Sequence, residues 1–177
     1  VILDRDGVIN QDSDAYIKSP EEWHALPGSI EAIALLNQQG YRVAVATNQS
    51  GIARKLFTLE DLAAIHAKMN KALAEQGAGI DYLVYCPHGP DDLCACRKPR
   101  PGLLNNIAEH YRISLRGVPV IGDSLRDIES AQAVGANALL VRTGKGKRTL
   151  AHNKLPQGVA VYADLAAAVS DLLKGRA

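Results

Sequence analysis

The sequence predicts an α/β protein built on a doubly wound, mostly parallel sheet. Short segments rich in Val, Ile and Leu alternate along the chain with segments of helical periodicity. The short segments are apolar nearly throughout, as strands covered on both faces are. A βαβα order of this kind places ligands at the carboxyl ends of the strands. At 177 residues and 47% hydrophobic, the chain fits one domain over residues 1–177 with a sizeable core.

The expected strands are Val1 to Leu3, Tyr41 to Thr47, Tyr82 to Cys86, Pro119 to Gly122, Ala138 to Arg142 and Val159 to Tyr162. Between the first two, Ser29 can cap a helix that runs to Asn37 and stops at Gly40. Thr58 can cap the next, in which Leu59, Leu62, His66, Met69 and Leu73 recur at helical spacing. Pro101 suits the first turn of a third helix, and Gly135 can end a fourth. Lys145 to Gln157 is polar and reads as a surface loop, with Lys145 and Lys147 able to assist an anionic substrate. Trp23 is expected to pack on the core. His66 falls within the apolar spacing of its helix and is expected to pack, while His24, His110 and His152 have no partner constellation that would give them a role.

Twenty Lys+Arg against nineteen Asp+Glu leave a formal charge of +1, without blocks of like charge. Neither a nucleic-acid nor a membrane surface is implied. No apolar run approaches the ~20 residues that span a bilayer, and no signal peptide precedes the first strand, so a cytoplasmic monomer is expected. With no initiator Met ahead of that strand, a few N-terminal residues are expected beyond this numbering.

The chemistry begins at DRDG. Asp4 and Asp6 leave the first strand at its carboxyl end, and the period of two puts both on one side, with Arg5 on the other. Gly7 lets the backbone turn or approach a ligand closely. The second strand ends in TNQSGIAR, where Thr47 and Asn48 offer hydroxyl and amide donors to an anion. CRKP adds the cation Lys98, and IGDSLRD adds Asp123 with Asp127 four residues on. Each has a plain alternative as a turn former, a solvated charge or a helix-start acid. Four such loops at successive strand ends argue for one site.

Monoester phosphoryl transfer suits this set, because carboxylates meet a phosphate dianion only where a metal and a fixed cation neutralise the charge. Mg²⁺ takes oxygen ligands, which Asp4, Asp123 and a backbone carbonyl near Asp6 can provide. Asp4 is placed to attack phosphorus, and Asp6 to protonate the leaving oxygen and later deprotonate water.

DRDG, TNQSG, the Lys of CRKP and GDSLRD resemble the four motifs of the haloacid dehalogenase superfamily of aspartate-nucleophile phosphatases, over Asp4 to Asp127. The resemblance implies Asp4 as nucleophile and Mg²⁺ ligand, and Asp6 as general acid/base with its carbonyl on Mg²⁺. It further implies Thr47 and Lys98 on phosphate, Asp123 as a metal ligand and Asp127 behind it. No segment is long enough for the family's cap domain, so an essentially capless protein is expected.

Cys86, His88, Cys94 and Cys96 form Cys-x-His-x5-Cys-x-Cys and include all three cysteines of the chain. The spacing predicts zinc, and four protein ligands close the tetrahedron, so the metal is structural. An odd cysteine count in a reducing compartment argues against a disulfide. This loop delivers Arg97 and Lys98 to the site. With it, the chain resembles the histidinol-phosphatase-like subgroup, where TNQSGIAR, CRKP and LVRTGKG look like a sugar-bisphosphate phosphatase. That resemblance implies a small phosphorylated sugar as partner, with Arg54 and Arg97 on its distal phosphate, since a second phosphate needs further cations. Lys55 departs from the pattern, which has Gly there. Histidinol phosphate is the alternative substrate. A phosphoacceptor receiver domain is the alternative of another class, opposed by the second acid and the zinc loop, and a zinc-stabilised nucleic-acid module lacks a basic stripe.

Overall fold

The computed structural model describes residues 1–152 and 154–175. Six strands, β1 (Ile2–Leu3), β2 (Ala44–Asn48), β3 (Tyr82–Cys86), β4 (Pro119–Gly122), β5 (Asn137–Val141) and β6 (Ala160–Tyr162), alternate with six helices. The helices are α1 (Ser29–Gln38), α2 (Leu59–Ala74), α3 (Gly102–Tyr111), α4 (Leu125–Ala133), α5 (Gly146–Ala151) and α6 (Leu165–Lys174). All strand pairs are parallel, in the order β3-β2-β1-β4-β5-β6. The chain winds outward from β1 to β3, then returns to β4 on the other side of β1. This reversal opens a crevice at the carboxyl ends of β1 and β4.

The strands divide two cores by their two-residue period. Leu3, Val45, Ile121, Leu139 and Val141 face one side, where Ile33, Leu36, Ile65, Met69, Leu73, Leu165 and Val169 of α1, α2 and α6 cover them. Ile2, Ala44, Ala46, Val120, Ala138 and Leu140 face the other, against Leu103, Leu104, Ile107, Ile128 and Ala131 of α3 and α4. Consecutive apolar residues are therefore needed on every central strand, which is why the strands do not alternate with polar residues. Trp23 is buried in the first core, as expected.

Several local expectations change. β2 starts at Ala44, three residues later than expected, because the Val43 amide donates to the Asp81 carboxylate at 2.8 Å instead of joining the ladder. Gly28 occupies the cap position of α1; the Ser29 hydroxyl donates to the Ile9 carbonyl at 2.7 Å and ties the helix start to the first loop. Thr58 does cap α2, reciprocally with Asp61. On that helix Ile65 takes the buried position expected of His66, and Leu59 is exposed. Lys145 to Gln157 is not a plain loop: residues Gly146–Ala151 form α5, held by the Thr149 hydroxyl donating to the Asp123 carbonyl at 3.0 Å. Asn153 of that stretch lies outside the described residues. Among the described residues no helix or strand is inserted between β1 and α1 or between β2 and α2, so no inserted element covers the crevice. No helix is long and apolar enough to cross a membrane.

Candidate active site

The crevice holds a cleft of about 300 Å³, lined by Asp4, Asp6, Thr47, Asn48, Arg54, Arg97, Lys98 and Asp123 among others. Every residue expected at the phosphate and Mg²⁺ site therefore reaches one cavity. Asp4 is carried off β1 with its amide donating to the Ile121 carbonyl of β4 at 2.9 Å, so the two strands at the reversal fix its backbone. One carboxylate oxygen each from Asp4, Asp123 and Asp127 lies within 4.8 Å of the others.

Lys98 is the cation of this cluster. Its ammonium lies 2.5 Å from Asp127 Oδ1 and 3.1 Å from Asp4 Oδ1, and it donates to the Ala46 carbonyl at 2.7 Å. Burial opposes its charge, but Asp127 and Asp4 outweigh burial and hold it protonated. Burial would likewise raise Asp127, yet Lys98 and the Ser124 hydroxyl, 2.5 Å away, keep it ionised. Asp4 and Asp123 are left short of positive charge. Burial pushes Asp4 up to about 7, aided by Asp127 and Asp6 and resisted by Lys98. Burial and the neighbouring Asp127 and Asp4 push Asp123 up to about 8. Buried carboxylates that resist ionisation beside one another form a site that a divalent cation would relieve.

Asp6 sits differently. Its carboxylate is gripped by the Arg5 guanidinium, with Nη2 at 2.8 and 2.9 Å from its two oxygens, and receives further bonds from Asn10 and Gln49. Burial works against its charge, and Arg5, Asn10 and Gln49 override it, so Asp6 is held below the usual carboxylate range. Arg5 does not project away on the opposite side, as strand alternation alone predicts. Its long side chain, fully buried, folds back to Asp6 and reaches His66 Nε2 at 3.2 Å.

Around these groups, Thr47 accepts from the Gln49 amide at 2.9 Å and donates to no described residue. Asn48 was expected to donate to an anion. Its carboxamide instead bonds the Lys98 peptide on both sides, at 3.1 Å each, and fixes the lysine's position. Gly7 has φ +81, and a Cβ there would lie 2.1 Å from Asp123 Oδ2 and 3.0 Å from Gly144. The close approach anticipated for Gly7 is to this carboxylate. Lys55, at φ 58, occupies the left-handed region where glycine rests more easily.

Sequence reasoning missed Gln49, Arg5 as a partner of Asp6, and the bonds that tie the segment after β5 to Asp123, Asp12 and Gly7. There the Lys145 amide donates to Asp123 Oδ2 at 2.7 Å, its ammonium pairs with Asp12 at 2.7 Å, and Thr143 donates to the Gly7 carbonyl at 2.6 Å. Gln49 stood in plain view within TNQSG. The others depend on which loops fold together.

The sulfur cluster forms as expected. Cys86 lies 3.7 Å from Cys94 and 3.2 Å from Cys96, and His88 Nδ1 lies 3.5 and 3.3 Å from Cys86 and Cys96. These S···S separations exceed the ~2.05 Å of a disulfide. Burial and Cys96 push the Cys86 thiol up to about 12, while hydrogen bonds from the loop, led by the Arg97 amide, overcome burial and bring Cys94 down to about 7. Three adjoining thiols cannot all ionise without a cation among them; Zn²⁺ fits this donor set.

The fold and the acids gathered around Lys98 define a haloacid-dehalogenase-like hydrolase. A HAD-hydrolase-like family model matches residues 95–168, and a polynucleotide kinase 3 phosphatase model matches residues 2–125. A D-glycero-β-D-manno-heptose-1,7-bisphosphate 7-phosphatase of Bordetella bronchiseptica is 56% identical over 174 residues, covering 98% of this chain and 97% of the relative. One of Pseudomonas putida is 57% identical over 173 residues, covering 98% of each. A crystal structure of the B. bronchiseptica D,D-heptose 1,7-bisphosphate phosphatase, complexed with magnesium and phosphate, superposes with a TM-score of 0.97 at 56% identity, covering 99% of this chain and 98% of that one. The chain belongs to the D-glycero-β-D-manno-heptose-1,7-bisphosphate 7-phosphatase family.

Proposed function

We propose that residues 1–177 form one phosphatase domain that removes the 7-phosphate of D-glycero-D-manno-heptose 1,7-bisphosphate, in the cytoplasm, toward the heptose precursor of lipopolysaccharide. The observation that carries the reading is the buried Lys98 bridging Asp4 and Asp127 where the sheet reverses. Relatives identical at more than half of their full-length positions carry the same name, which favours heptose bisphosphate over histidinol phosphate. A turnover site with a second acid and a sulfur-rich loop is also unlike a receiver domain.

In this reading Asp4 attacks the 7-phosphorus and the sugar oxygen leaves, forming an aspartyl-phosphate. Asp6 gives its proton to that oxygen and then takes one from the water that cleaves the acyl phosphate, releasing inorganic phosphate. Asp6 is ionised while Arg5 grips it, so donation requires that it take a proton and turn from Arg5 toward the leaving oxygen. Thr47 and Lys98 bind the transferring phosphoryl oxygens, and Asn48 keeps Lys98 in place. Mg²⁺ would be held by Asp4, Asp123 and the Asp6 carbonyl, and supplies the positive charge that lets a dianion approach a carboxylate. Zn²⁺, held by Cys86, His88, Cys94 and Cys96, would order the loop that presents Arg97 and Lys98.

Phosphate release from the heptose bisphosphate, histidinol phosphate and simple sugar monophosphates tests the reading. The bisphosphate should give the highest kcat/KM, and histidinol phosphate in first place would overturn the assignment. Asp4→Asn should abolish turnover without unfolding the chain; near-normal activity in the folded variant would sink the nucleophile.

A further inference from the structure

The charges on the wall of the cleft do not balance. Asp12 and Asp14, the acids at its mouth, are paired with Lys145 at 2.7 Å and Arg148 at 3.2 Å. Among the described residues, no carboxylate pairs with Arg54, Arg97 or Arg126, all three of which line the same cleft. Arg54 and Arg97 are already accounted for by a distal phosphate. Arg126 is not.

Its placement follows from the buried ion pair beneath it. Lys98 and Asp127 lie 2.5 Å apart, and Arg97 and Arg126 are the residues immediately before each. The pair thus clamps together the backbone of the zinc loop and the first turn of α4, with the two preceding guanidiniums reaching the same cavity. Arg97 is steered by the His88 carbonyl, which accepts from its Nη1 at 3.2 Å. Burial and then Arg126 push the Arg97 pKa down, so the two like charges are near enough to disfavour each other. Two cations that line one cleft, neither paired with a carboxylate among the described residues, suit an anion with several oxygens.

We propose that Arg126 is a specificity-determining residue that, with Arg97, grips the phosphate of the substrate that is not transferred. The inference rests on the bisphosphate reading above. A dianion between the guanidiniums replaces their repulsion with two attractions, and the planar fork of each suits phosphate oxygens better than an ammonium does. A monophosphate offers nothing at that place and gains nothing from Arg126.

The test compares heptose 1,7-bisphosphate with heptose 7-phosphate for wild type, Arg126→Ala and Arg126→Lys, reading kcat and KM separately. Arg126 is exposed on the first turn of α4, so the fold should tolerate both changes. Arg126→Ala should lose about tenfold or more in kcat/KM on the bisphosphate, the scale of one charged hydrogen bond, and stay within about twofold on the 7-phosphate. Arg126→Lys should recover part of the loss. An unchanged ratio of the two substrates in Arg126→Ala, or an equal fall on both, overturns the inference, the latter marking Arg126 as a support for Asp127. A wild type without preference for the bisphosphate overturns this inference and the substrate assignment together; a preference undiminished in Arg126→Ala overturns this inference alone.

Discussion

Single residues here act through their neighbours' charges. Lys98 is 4% exposed and surrounded by Asp4 and Asp127, so its value lies less in attraction for substrate than in keeping one acid ionised while leaving the other incompletely neutralised. Gly7 is as constrained as any acid. A methyl group there meets Asp123 Oδ2 at 2.1 Å and must also keep φ at +81. Gly7→Ala is therefore expected to cost about 1–3 kcal/mol of stability and to lower activity at saturating substrate more than a surface Gly→Ala change does. A melting temperature and turnover equal to wild type would show that Asp123 can move aside freely. The acids themselves were legible in the sequence, because strand polarity and a period of two place Asp4 and Asp6 without further knowledge. The Arg5–Asp6 grip was not legible: alternation fixes where a Cα–Cβ bond points, and a long guanidinium side chain can bend back across the strand.

At the scale of elements, the zinc loop and α4 are joined by the Lys98–Asp127 pair, and α5 reaches the site through the Lys145 amide and the Thr149 hydroxyl. Removing one ligand from the sulfur cluster should be felt at Lys98. Cys94→Ser is expected to lower zinc below one per chain by metal analysis and to reduce kcat/KM, with the sheet intact by far-UV circular dichroism. Full activity in zinc-free protein would show that the loop orders itself. The cluster was visible as a spacing, and Thr58 as a cap, since both are written within a dozen residues. Ser29 and α5 were not. The Ser29 hydroxyl is drawn to the Ile9 carbonyl, twenty residues back, and α5 is a short polar helix tied down by the Thr149 bond to Asp123, with Leu150, its single large apolar residue, on the core.

Over the whole molecule, the clustered acids tie stability to pH and metal. Asp4 and Asp123 titrate near 7 and 8 in the folded chain against 3.8 when exposed, so the folded state binds more protons between these values. Their contribution therefore falls as pH rises through that window. His66, pushed down to about 4 by burial and Arg5, acts oppositely, but its effect is complete by about its ordinary 6.5. Between pH 6.5 and 7 the acids act without that opposition; above 7 the Cys94 thiol, brought down to about 7 from its ordinary 9, offsets what is left of their effect. In magnesium-free buffer the melting temperature should drop from pH 5 to 7, and Mg²⁺ should recover most of the loss at pH 7. A flat profile that Mg²⁺ does not move would contradict the charge balance of the site. The six-stranded order was only half legible: parallel winding follows from the βαβ pattern, but which strand lies beside β1 depends on packing between distant segments. The lack of any element inserted over the crevice has a kinetic consequence. Enzymes with a moving lid dry the reaction centre by closing it, and opening often limits their turnover. Among the described residues no such body is inserted over the crevice, so water must be expelled by the sugar itself. The unreacting part of the substrate then serves as the stopper, and a shortened substrate forfeits rate as well as affinity.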